Sequence, residues 1–190
     1  YQSLRNFIVY LHYYYGYPFY FFSAIVLLPV KWIFGSSWTT HVPVIVMTLR
    51  QMISVLPMLL AAFLLVREQT YNKPFWKTIF LLLFLLMIPA VTGNNMWWHP
   101  DSLLTLFSVL TILFLVKDNA RFGKYFYLSG VMCALAIGSK ILGVLFVLTY
   151  LAYLLYGLFT HAVSWRKMLI SAAFYLLVLL LTVVITNPLL

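Results

Sequence analysis

Acidic side chains are almost missing from this 190-residue chain: Glu68, Asp101 and Asp118 are the whole set, against twelve lysines and arginines. Charge of either sign is scarce, at 8% of residues, where soluble domains carry about 25%. That shortage excludes a soluble globular domain. The formal net charge of +9 invites a nucleic-acid reading, which the distribution excludes. The basic residues fall mostly in short loops between apolar runs, as the positive-inside rule requires, and not on one solvated face. Cysteine is limited to Cys133, inside an apolar segment, so neither a disulfide framework nor a metal-thiolate cluster is available. No metal-ligand spacing, Walker-type glycine loop, nucleophile elbow, internal repeat, low-complexity tract or signal peptide is visible.

What remains is apolar. Sixty-five per cent of residues are hydrophobic, and the mean hydropathy is +1.02. A β-barrel would alternate apolar and polar residues, whereas Leu81–Ile88 and Leu176–Ile185 are nearly continuous apolar runs. In lipid, only bonds within a segment satisfy so much backbone. The expectation is an all-α fold, a polytopic transmembrane helical bundle of about six or seven membrane segments. Five segments are read at 43–66, 75–92, 100–117, 141–160 and 168–187. A sixth, 125–139, is shorter than the roughly 17–25 residues a span needs and reaches part-way before a break. A seventh, 18–34, is interrupted by Pro29 and Lys31 and either spans or lies along the interface. Residues 1–190 read as a single transmembrane domain, expected to be a fragment of a longer chain, with 1–17 an interfacial or outer-loop segment.

Orientation follows from the loops. Arg67, Lys73 and Lys77 flank one connection, Lys117, Arg121 and Lys124 another, and Arg166 and Lys167 a third. With these cytoplasmic, the last six segments alternate without contradiction. The outer side then receives His41, Asn94, Asn95, His99, Asp101, Lys140 and Asn187. Function points outward.

Lys140 is the most informative residue, because a cation within an apolar stretch costs roughly 2.5–3.5 kcal/mol on insertion scales. A chain break at Gly138-Ser139-Lys140 would put it at a membrane face between two short helices. There an amine can meet an anion such as a lipid phosphate, or simply snorkel in a turn. Asp101, the sole outward acid, follows Gly93-Asn94-Asn95-Met96-Trp97-Trp98-His99-Pro100. Pro100 suits a helix start and Asp101 a first turn, a sufficient structural reason for both. Trp97 and Trp98 fit an interfacial aromatic belt. His99 and Asp101 share no helix face, so joint metal ligation requires His99 to precede the helix. Arg50, about seven residues into its segment, either snorkels or offers its planar fork to a phosphate. His12, within a tyrosine-rich stretch, reads as interfacial.

The order of these motifs resembles the GT-C class of membrane glycosyltransferases, within it the group of protein O-mannosyltransferases (glycosyltransferase family 39) and aminoarabinose transferases. Four features carry the resemblance: Tyr17-Pro18-Phe19-Tyr20 with its apolar run to Gly35; Arg50-x-x-x-Ser54; Pro100-Asp101; and Gly130 followed by Leu135-Ala-Ile-Gly-Ser-Lys140. The resemblance implies inverting sugar transfer from a polyprenyl- or dolichyl-phosphate carrier to a protein, lipid or glycan acceptor on the outer or lumenal face. The membrane would be a bacterial or archaeal plasma membrane, or the endoplasmic reticulum. The leaving phosphate needs positive charge or a divalent metal where negative charge develops. Lys140 is the first candidate for that role and Arg50 the second; Asp101, with His99 and Asn95, would position acceptor or metal. One departure matters: the family's catalytic acid lies in the first outer loop, and nothing before Tyr17 is acidic here, so the catalytic base is not named. A polytopic transporter and a non-catalytic membrane scaffold are the competing classes, although all three acids fall at segment ends and no repeat is visible.

With Cys133 replaced, cysteine introduced at position 95 or 140 is expected to react with an impermeant thiol reagent in intact cells, while cysteines in 67–77 and 117–124 stay protected. Labelling of position 95 only after permeabilisation would invert the topology.

Overall fold

The computed structural model describes residues 15–93, 97–160 and 163–186. Among them there are helices and turns and no strand. Helix α1 is Tyr17–Phe34, prolonged by a 3-10 turn over Gly35–Thr40. Helix α2 is Val42–Gln69, with a π-helical turn at Arg50–Val55. Then come α3 (Phe75–Leu86), α4 (Pro89–Gly93), α5 (Asp101–Asp118) and α6 (Lys124–Ser139). A 3-10 stretch, Ile141–Phe146, leads into α7 (Val147–Phe159), and α8 is Trp165–Thr186.

Four of these are long and apolar enough to cross a membrane: Tyr17–Thr40, Val42–Gln69, Ile141–Phe159 and Trp165–Thr186. The first shows that the 18–34 segment is helical at spanning length despite Pro29. The segment read as 75–92 is not continuous. Its main helix stops at Leu86 after twelve residues and a short turn restarts at Pro89, because proline has no N–H for the preceding turn and its ring excludes an uninterrupted helix. Helix α6 has sixteen residues and ends where the short segment was expected to end.

Helices α5 and α6 form an antiparallel hairpin, and the polar residues at its two ends have opposite fates. At the turn, Asp118 is buried, 2% exposed. Its carboxylate accepts from the backbone N–H of Phe122 (2.7 Å), Gly123 (2.9 Å) and Phe126 (3.3 Å), and from the Tyr153 hydroxyl (2.7 Å). Gly123 occupies the N-cap of α6 and brings no side chain to the task, so Asp118 caps the helix from five residues upstream. The same bonds hold Asn119, Ala120 and Phe122 at φ of 50–56°, a region that costs ordinary residues about 1–2 kcal/mol each.

The face of α6 toward its neighbours is built of small residues, among them Ser129, Gly130, Cys133, Ala134 and Ala136, all buried. Small residues let membrane helices approach closely. A Cβ on Gly130 would meet the Tyr175 ring of α8 at 3.2 Å, and Tyr175 in turn stacks on Tyr150 of α7 at 4.2 Å. A second cluster joins Phe19 of α1, Leu49 and Ile53 of α2, Leu103 and Phe107 of α5, and Ala136 of α6.

Asp118→Ala would leave three N–H groups and a hydroxyl without their acceptor, and should destabilise the protein by about 3 kcal/mol or more. Lys117→Ala, one residue away and exposed, should cost under about 0.5 kcal/mol. Thermal unfolding in detergent compares the two; equal losses would remove Asp118 from the role assigned to it.

Candidate functional site

The helical run does break at Lys140. Lys140 is extended, at φ −156° and ψ 136°, between the last turn of α6 and the 3-10 stretch. Gly138 lies within the helix, and the glycine the break requires is Gly143. A Cβ there would meet the Ala136 carbonyl carbon and the Ile137 nitrogen at 2.4 Å, backbone atoms that cannot move aside. The chain therefore leaves α6 and folds directly back along it, with the Gly143 N–H donating to the Lys140 carbonyl at 2.8 Å.

Lys140 Nζ then stands 2.6 Å from Asp101 Oδ1. Asp101 is the first residue of α5, with Pro100 at the N-cap, so the carboxylate also has the favourable end of the helix dipole. Its other oxygen, Oδ2, is 3.0 Å from His99 Nδ1. His99 precedes the helix, which is the condition under which residues two apart can meet. The three side chains are between a quarter and a third exposed. Both contacts fall on one carboxylate.

Three further segments converge on the cluster. Tyr15 sets its ring edge-on to His99 at 4.9 Å, and the Gly16 N–H donates to the Ser139 carbonyl at 3.4 Å. Trp98 stacks on Phe19 at 5.0 Å and its Nε1–H donates to Ser23 Oγ at 3.0 Å. The buried Ser54 hydroxyl donates to the Trp97 carbonyl at 2.6 Å. Pro57 accounts for the π-helical turn that carries Ser54, because proline disturbs the bonding of the preceding turn. The start of α1, the Arg50-x-x-x-Ser54 turn, the Trp97–Asp101 entry and the Ser139-Lys140 break thus meet in one place.

Trp98 is a structural tie and not a free belt residue, whereas Trp97, 74% exposed, remains suited to the interface. Arg50 is half-buried at the start of the π-helical turn; the ion-pair partners of Asp101 are His99 and Lys140. Asn95, with Asn94, His12 and Asn187, lies outside the described residues. Ser54 was part of the Arg50-x-x-x-Ser54 motif, whereas Ser23 and Tyr15 were not singled out in the sequence, since a serine or tyrosine in an apolar helix carries no signal of its partner.

No group of three or more His, Cys, Asp or Glu that could hold a metal occurs among the described residues. Asp101 and His99 supply two donors, and an ammonium already sits on the carboxylate, so this donor set does not fit a metal ion. Lys140 has three N–H donors, of which Asp101 takes one. The cluster is a half-buried cation with spare hydrogen-bonding capacity, held in place by an acid and flanked by an oriented imidazole.

The stability worth of the pair is measurable. A double-mutant cycle of Asp101→Asn and Lys140→Met, read by thermal unfolding in detergent, should give a coupling of about 1 kcal/mol. Additive losses would mean that the two charges do not depend on each other.

Comparison with curated proteins and with solved structures finds no match. A family model does match, over residues 22–189, and is described as dolichyl-phosphate-mannose-protein mannosyltransferase. That span includes the Arg50–Ser54, Pro100–Asp101 and Gly130–Lys140 motifs; Tyr17–Tyr20 lies just before it. The match agrees with the resemblance drawn from the motifs, and it covers most of the chain, which therefore belongs to the dolichyl-phosphate-mannose-protein mannosyltransferase family.

Proposed function

We propose that this chain transfers a sugar from a polyprenyl- or dolichyl-phosphate carrier to an acceptor, at the membrane face where His99, Asp101 and Lys140 meet. The observation that carries the reading is the Lys140–Asp101 pair at 2.6 Å, standing at the break between two apolar helical stretches. In such a reaction an acceptor oxygen attacks the anomeric carbon, and the bond from that carbon to the carrier phosphate breaks. The phosphate leaves with the electron pair, and the acceptor proton passes to a base. Negative charge grows on the phosphate, so a pre-placed cation in a water-poor site lowers the barrier. Lys140 meets that need with the two N–H groups that Asp101 does not use.

Asp101 holds the ammonium in position and keeps the site neutral until the anionic carrier arrives. His99, its Nδ1 3.0 Å from Asp101 Oδ2, lies where it can orient an acceptor hydroxyl. Arg50 is a second cation for the carrier phosphate. The outer or lumenal side is the working face because the basic loops lie at the other end of the bundle. The donor class and the sugar follow the family description; support for the acceptor being a protein rests on that description alone.

Lys140→Met in the full-length protein should slow transfer from a polyprenyl-phosphate sugar at least tenfold, about 1.4 kcal/mol, while Lys140→Arg retains part of it. Adding Asp101→Asn to Lys140→Met relieves the stranded carboxylate and should restore stability without restoring transfer. Recovery of both would make the pair a structural tie and end the phosphate role.

A further inference from the structure

Helix α1 is long and apolar enough to cross a membrane, yet its contacts keep both of its ends on one side. Its start is tied to the Lys140 break, where the Gly16 N–H donates to the Ser139 carbonyl and Tyr15 stands edge-on to His99. Its end is located by α2. Ser54 donates to the Trp97 carbonyl, just before α5 begins, whereas Ala61 packs with Val109 and Leu113 farther along α5. Helix α2 therefore runs parallel to α5, from the Asp101 end toward the Asp118 end. Val42 precedes Ser54 in the same helix, so along the axis it stands about 18 Å beyond Ser54, away from the Asp118 end. Phe34 and His41 stack ring on ring at 4.0 Å across the connecting 3-10 turn, which places the end of α1 beside the start of α2. A crossing α1 would instead leave Phe34 at the depth of Gln69 and Asp118.

The faces of α1 divide to match. Phe19, Ser23 and Val30 are buried, and the first two of them pack on Trp98. On the opposite face Phe21, Ile25, Leu28 and Trp32 are exposed, Trp32 at 89%. Their spacing lines them up as one stripe of the helix. An apolar stripe of this kind is unfavourable in water and suited to lipid. Lys31 is exposed beside it, in the last turn of α1, where its ammonium can reach head groups while its stem stays among apolar atoms. Trp32 carries the ring that favours the same layer.

We propose that α1 does not span the bilayer and that, with Val42–Leu49, it forms a helical hairpin resting in the leaflet on the Lys140 side. The Phe21–Trp32 stripe meets acyl chains there, and Lys31 lies among head groups. The partner of this face is the lipid surface itself, as for other interfacial helices. Helices α5 and α6 cross the membrane, while the hairpin borders their Lys140–Asp101 end. The inference rests on contacts between helices and on the membrane character of the chain, not on the sugar-transfer reading, and its test does not read transfer.

Two measurements on the full-length protein, with Cys133 replaced, test it. In intact cells, Ser36→Cys in the turn after α1 and Asn72→Cys in the turn after α2, both at exposed positions, should react with an impermeant thiol reagent from opposite sides of the membrane. In lipid nanodiscs, a fluorophore on Leu28→Cys should be quenched more by a nitroxide near the head group than by one at the end of the acyl chain. The order should reverse for Phe174→Cys, exposed midway along α8. Each variant is compared with the parent by thermal unfolding, so that only folded protein is read. Three results overturn the proposal. These are labelling of Ser36→Cys from the same side as Asn72→Cys, a quenching order at Leu28→Cys like that at Phe174→Cys, and quenching of Leu28→Cys by neither nitroxide, which would put a second copy of the chain over the stripe.

Discussion

A lysine inside an apolar membrane segment needs both an end to the helix and a partner for its charge, and much of this bundle is arranged around meeting those needs at Lys140. The backbone leaves the helix there and doubles back against α6, which only a glycine at 143 permits. The counter-charge comes from Asp101, 39 positions upstream, and that contact sets the register of the α5–α6 hairpin. Asp101 opens α5, so the pair also fixes where that helix begins. The entry to α5 is in turn held by Ser54 beneath Trp97 and by Ser23 and Phe19 against Trp98. Moving any one of these elements would strand a charge in a medium that does not solvate it.

The two aspartates of α5 answer the same cost in different ways, and the contrast separates chemistry from scaffold. Asp118 is sealed in and spends its oxygens on three amides and a phenol, which leaves nothing for a ligand. Asp101 is a quarter exposed and bound to groups that can exchange partners, an ammonium with spare donors and an imidazole. Under the proposed function, the anionic carrier competes for the first cluster, while the second is sealed from it. That difference, more than the count of acids, is why a transferase of a lipid-linked sugar would work at the Asp101 end.

The fold class was legible in the sequence because lipid makes a single demand on the backbone and long apolar runs answer it with helices. So was the break at Lys140, since a cation flanked by small residues sits poorly in a continuous membrane helix, and so was the start of α5 at Pro100-Asp101. The interrupted 75–92 segment was less legible: Pro89 was in plain view, but periodicity alone does not tell a kinked helix from a divided one. Ser54 and Trp98 were visible as parts of motifs, while Ser23 and Tyr15 were not, because a hydroxyl or a ring in an apolar helix has no preferred partner until the helices pack.

What the sequence determined by itself is therefore the set of local facts: helices, their proline-led starts, the shortage of acids, and a basic residue where lipid should be. Those follow from interactions within a few residues of one another. Tertiary structure decided which of the few charged groups meet. Sequence told Asp101 from Asp118 by its place at a proline-led helix start, but nothing local names the partner of either carboxylate. Only the antiparallel return of α6 brings Lys140 to Asp101 and gives Asp118 the amides of the turn. The cost of an unpaired charge in lipid is what makes that choice binding.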